Sequence, residues 1–74
     1  MKLIFQNNKG EEKIITELLS VDEVDEAIDG FLVSNHLSSY YTRVCEDSRG
    51  LVIDLGSHTQ FLIVEGVSFQ EYVK

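Results

Sequence analysis

Between Glu17 and Asp29 the chain carries six carboxylates, Glu17, Asp22, Glu23, Asp25, Glu26 and Asp29, with no lysine or arginine among them. Carboxylates three or four positions apart on a helix, such as Asp22 with Asp25 and Glu26, repel one another mildly. A surface with a purely structural role usually intersperses lysines. The chemistry such a ridge can do is to engage a basic surface, its carboxylates standing where phosphates would. The plainer reading is a solvated helix face whose acids are favoured by the positive end of the helix dipole. A cation site is disfavoured, because Asp22-Glu23-Val24-Asp25-Glu26 lacks the ligand loop and central glycine of a calcium hand. On a regular helix these acids diverge.

The nucleophile candidates are Ser57, next to His58, and Cys45. A serine needs a base that is itself oriented by a third group, and two adjacent residues do not supply that geometry. His58 in Gly56-Ser57-His58-Thr59 reads as a loop residue, and Cys45 as a small strand residue. His36 falls where a cation suits the end of a helix. No phosphate-binding glycine loop and no paired Cys/His ligands occur. The expectation is a protein that is not an enzyme and uses no metal or cofactor.

The 74 residues are enough for one domain, 1–74, and too few for a second core. With 43% hydrophobic and 26% charged residues, the chain has the composition of a globular protein. Its net charge of −7 argues against direct nucleic-acid binding, which rests on clustered Lys and Arg, and against anionic membranes. The single cysteine cannot form an internal disulfide, which favours a reducing, cytoplasmic setting. The apolar run of Met1-Lys2-Leu3-Ile4-Phe5 is too short for a signal-peptide core, and no stretch is long enough to span a membrane.

These side chains need elements to position them. Strand formers in 2–6 and 11–18 flank Asn7-Asn8-Lys9-Gly10, which predicts a β-hairpin with a loop of two, three or four residues. Ser20 with Glu23 forms a capping-box pattern. Val21, Val24, Ala27, Ile28, Phe31 and Leu32 then share one helical face, with Asn35 as the C-terminal cap. Gly30 inside this helix costs about 1 kcal/mol relative to alanine, and a close approach to the sheet would explain it. A second hairpin turns at Asp47-Ser48-Arg49-Gly50, and Gly56-Ser57-His58-Thr59 leads to a further strand, 61–65. Four-residue loops would place Val44 opposite Ile53, Arg43 opposite Asp54 in a cross-strand ion pair, and Ile53 opposite Leu62. Tyr40, Thr42, Val44, Leu51, Ile53, Leu55, Leu62 and Val64 then face the helix. The other face, with Tyr41, Arg43, Cys45, Val52, Asp54, Phe61 and Ile63, is about half apolar and predicts a cover. The cover would be the C-terminal segment, a second copy or a partner. Ser68 with Glu71 would cap a last short helix carrying Phe69, Tyr72 and Val73.

The runs Ser39-Tyr40-Tyr41-Thr42-Arg43-Val44 and Ile53-Asp54-Leu55-Gly56-Ser57-His58-Thr59-Gln60-Phe61 resemble a group of short, largely uncharacterised proteins from phages and prophages of Gram-positive bacteria. The opening Met1-Lys2-Leu3-Ile4-Phe5, with Asn7 and Gly10, is similar to their first hairpin, so the likeness spans most of the chain. It departs from their pattern at Cys45, where such relatives carry a tryptophan. The resemblance transfers no catalytic residue. It implies an accessory protein working inside a bacterial host cell, where small acidic phage proteins can inhibit nucleic-acid-handling machinery.

The resulting expectation is an α+β domain, ββαβββ, in which two hairpins and one strand form an antiparallel sheet with a single helix on one face. Its rival is a mixed sheet with the first hairpin packed separately. The expected function is non-enzymatic binding of a basic protein partner through Asp22, Glu23, Asp25, Glu26 and Asp29. The alternative is a homodimer or assembly protein joined through Tyr41, Arg43, Val52, Phe61 and Ile63. A small enzyme using Asp54, Ser57 or His58 is the third reading.

Overall fold

Each strand-forming run closes on a turn whose bonds can be assigned. The computed structural model describes residues 1–36, 43–55 and 60–73. Strands β1 (Lys2–Gln6) and β2 (Glu12–Glu17) form the first hairpin. Asn7 organises it. Its Oδ1 accepts the backbone N–H of Lys9 and of Glu11, each at 2.9 Å, and its own N–H donates to the Glu11 carbonyl at 2.9 Å. Gly10, at φ 81°, completes a three-residue loop, one of the lengths expected.

Strands β3 (Arg43–Asp47) and β4 (Gly50–Asp54) close through Asp47, whose Oδ1 accepts the N–H of Arg49 at 2.8 Å and of Gly50 at 3.3 Å. Val44 lies opposite Ile53 and Arg43 opposite Asp54, as expected, although the loop is two residues, Ser48 and Arg49, and not four, because Asp47 and Gly50 also pair. Strand β5 (Phe61–Glu65) follows, with Ile53 opposite Leu62. The five strands form one sheet in the order β2-β1-β5-β4-β3, with every pairing antiparallel. The first hairpin therefore joins the sheet through β1 and β5 and is not packed separately.

One face of the sheet receives a 3-10 turn, Val21–Glu23, continuing into helix α1 (Val24–Ser34). Leu3, Leu51, Ile53, Leu62 and Val64, with Phe5 at their edge, meet Val24, Ile28, Phe31 and Leu32 of the helix. Burying an aliphatic or aromatic side chain of this size contributes about 1.5–3 kcal/mol, so this layer dominates the stability. Val44 and Leu55 pack at its margin, and Val21 and Ala27 complete the helix contribution as the 3.6-residue spacing predicts. Tyr40 and Thr42 lie outside the described residues.

The ends of α1 differ from expectation in one respect. The Ser20 side chain makes no capping bond. Glu23, at the end of the 3-10 turn, reaches one residue further back and accepts the Leu19 N–H at 3.0 Å. At the other end Asn35 is the cap, its Nδ2 donating to the Phe31 carbonyl at 2.8 Å. The reciprocal box forms instead at Ser68 and Glu71. Ser68 N–H donates to Glu71 Oε1 at 3.1 Å and Glu71 N–H to Ser68 Oγ at 3.1 Å, starting α2 (Phe69–Val73).

Gly30 makes no close approach to the sheet. A Cβ built there meets nothing within 4 Å, so a packing reason for this glycine is absent. Gly30→Ala should raise the unfolding free energy by about 0.5–1 kcal/mol through helix propensity alone, read as a higher urea midpoint at constant m value. A lower midpoint would contradict this geometry.

Candidate functional site

The acids predicted on the helix are largely where the ridge requires them. Asp22, Asp25, Glu26 and Asp29 are exposed, and Glu23 is half-buried against Leu19. From Asp22 to Asp29 the helix rises about 10 Å. The described cations all sit elsewhere: Lys2, Lys9 and Lys13 in the first hairpin, Arg43 on β3 and Arg49 in the turn before β4. Among the described residues the helices carry acid only, whereas the sheet and its turns mix five cations with seven acids, so the helical layer is the more negative side.

Two of the acids also hold the fold. Glu23 caps the backbone, and Asp25 accepts the Tyr72 hydroxyl, fastening α2 beside α1. That hydrogen bond, then partial burial, then the charges of Asp25 and Asp29 push the Tyr72 phenol up to about 12. A raised folded-state pKa stabilises the protein fully below the ordinary value of 10.0 and ceases to do so as pH climbs through the folded value. The stability advantage of the wild type over Tyr72→Phe should therefore be constant below pH 10 and close between pH 10 and about 12 in urea titrations. A gap that persists above pH 12 would contradict it.

The C-terminal segment does not cover the second sheet face. Val67 and Tyr72 join the core on the α1 side, and the Phe69 N–H donates to Glu46 of β3 at 2.6 Å. The reason lies in Ser68 and Glu71, which turn the chain into α2 directly after β5, and in the Tyr72–Asp25 bond.

On that second face, register aligns Ile14, Ile4, Ile63, Val52 and Cys45 in one row across all five strands. Its centre is closed. Ile4 is 5% and Ile63 4% exposed, whereas Ile14 at the edge is 56% exposed. Arg49 crosses this face. Its guanidinium donates to Glu12 of β2 at 2.6 Å and to Glu65 of β5 at 3.4 Å, and the Ile4–Ile63 pair lies on the diagonal between those carboxylates. A twisted sheet lifts two diagonal corners toward the same side, and the bulge at Ile15 in β2 adds to the curl. The Arg49 hydrogen bond holds the Glu12 carboxyl below its ordinary range.

Ile63, expected to belong to an interface, is thus interior. Val52 and Phe61 are half-buried, Arg43 is exposed, and Tyr41 lies outside the described residues. Asp54 is 8% exposed, opposite Arg43 and Phe61. Cys45 is exposed, its Sγ donating to the Val52 carbonyl at 3.5 Å. Ser57 and His58 lie outside the described residues, and His36 is exposed after the helix at φ 57°. Among the described residues no three His, Cys, Asp or Glu side chains gather as metal ligands, and no helix is long and apolar enough to cross a membrane.

One feature had no signal in the sequence. Between α1 and β2 runs a groove with two hollows in line, of about 500 and 340 Å³. The larger is floored by Phe5, Ile15 and Phe31, with Gly30 and Lys13 at its rim. The Phe5 and Phe31 rings lie 5.1 Å apart at 38°. The smaller is lined by Glu17, Glu23, Glu26 and Ala27. Gly30 was legible as an anomaly, but the walls come from β1 and β2 and become neighbours only once the sheet packs. No protein-family model, no curated protein and no solved structure matches the chain.

Proposed function

We propose that this chain is a non-enzymatic protein-binding module, a phage-type accessory protein working in a bacterial cytoplasm, that engages a basic, nucleic-acid-handling partner through the helical layer. The observation that carries the reading is an acidic stripe free of cations: Asp22, Asp25, Glu26 and Asp29 project from one element, and the described cations lie among further acids on the sheet and its turns. Four carboxylates along about 10 Å of helix approximate the charge density of one nucleic-acid strand, which places a phosphate every 3.4 Å or so along a duplex. A protein surface built to read phosphates would meet a similar line of anions here.

The test keeps Asp25, which Tyr72 needs, and reverses Asp22 and Asp29 to lysine. This takes the net charge from −7 to −3. The immobilised protein should retain a basic protein from host extract, releasing it to salt and to competing duplex DNA. The Asp22→Lys/Asp29→Lys variant should bind that protein about a hundredfold more weakly, two reversals at roughly 1.4 kcal/mol each. Retention that ignores both salt and the reversals would overturn the reading.

A further inference from the structure

The groove beside α1 has a chemistry of its own. Its wall on the helix is the strip Glu23, Ala27, Gly30 and Ser34, residues three or four apart that share one face. Its other wall is β2, an edge strand. One end is acidic and the other aromatic, their centres about 10 Å apart by helix and strand rise.

Gly30 makes the aromatic end possible. Neither a close approach nor a left-handed backbone requires glycine there, yet in mid-helix it forgoes about 1 kcal/mol relative to alanine. Any larger residue would stand at the rim of the hollow floored by Phe5, Ile15 and Phe31. The folded chain gains nothing from that space. A bound side chain would.

We infer that this groove receives an extended segment of the partner protein, seating a basic side chain beside Glu23 and Glu26 and a large apolar side chain over Phe5 and Phe31. Charge selects the orientation. Lys13 at the aromatic end repels a cation there, and Glu23 and Glu26 attract one at the other end. In a polyproline II segment three residues advance about 9 Å and return the side chain to the same face, so the basic and apolar residues are three positions apart. The inference rests on the preceding reading in taking the partner to be basic, and adds a sequence requirement to it.

The probes are two labelled peptides of equal length, followed by fluorescence anisotropy. One carries an arginine and a phenylalanine three positions apart in a glycine–serine background; the other is oligolysine. The arginine–phenylalanine peptide should bind the wild type and shift the amide resonances of Ile15, Thr16, Ala27 and Gly30. Gly30→Leu, which adds a helix former where a Cβ has room, should weaken it about tenfold and leave oligolysine binding unchanged. Unchanged affinity of Gly30→Leu for the arginine–phenylalanine peptide would overturn the groove inference and leave the acidic ridge standing. Equal binding of a phenylalanine peptide lacking the arginine would overturn it, as would amide shifts confined to Asp22, Asp25 and Asp29. Self-association of the wild type that Gly30→Leu abolishes would overturn it in favour of a second copy as occupant. Oligolysine binding that survives Asp22→Lys/Asp29→Lys would count against the ridge alone.

Discussion

Gly50→Ala should remove about 3–5 kcal/mol of stability, out of a total of about 4–11 kcal/mol for a chain of this length. Two effects act together. Gly50 sits at φ 146°, a conformation that side-chain-bearing residues rarely adopt, at a cost of about 1–3 kcal/mol. A Cβ there would also stand 2.2 Å from the Val64 carbonyl oxygen and 3.0 Å from the Gly66 nitrogen. Both obstacles are backbone of the neighbouring strand and turn, so neither can rotate away, and relieving them means opening the junction of β4 with β5. That junction is central, because β5 links the first hairpin to the second. Urea titration of Gly50→Ala should show a midpoint lowered by the equivalent of that loss at an unchanged m value. A loss below about 1 kcal/mol would mean that the turn relaxes more freely than this geometry permits.

Ile63→Ala should cost about 2–4 kcal/mol in the isolated protein, as large as a truncation in the main core. Ile63 faces away from α1, and a residue on an open sheet face would lose well under 1 kcal/mol. The burial of Ile63, 4% exposed, decides between these outcomes, and Arg49 bridges Glu65 and Glu12 on the same face. Val52→Ala, one strand away in the same row and half-buried, provides the control and should cost clearly less. If Ile63→Ala and Val52→Ala lose equally little, the centre of this face is open and available to a second copy.

Much of this fold was legible before any coordinates. The hydrophobic spacing from Val21 to Leu32 placed a helix and its buried side, and the two turn sequences after β3 and β4 set the register, because hairpin pairing depends only on local loop length. Even the short α2 was visible, since a capping box is a contact between residues three apart. The same pattern did not form at Ser20, where a 3-10 turn intervenes and Glu23 accepts the Leu19 N–H instead.

For function the division is similar. The sequence by itself determined that the central helix would be acidic on its outer side, because period and composition are local properties. Only the tertiary structure decided where every other charge would lie, which face of the sheet would close, and that a groove would open beside Gly30. Those outcomes depend on β1 meeting β5 and on Arg49 reaching Glu12, 37 positions away. Contacts at such separations follow from how the whole chain packs, and no window of neighbouring residues contains them.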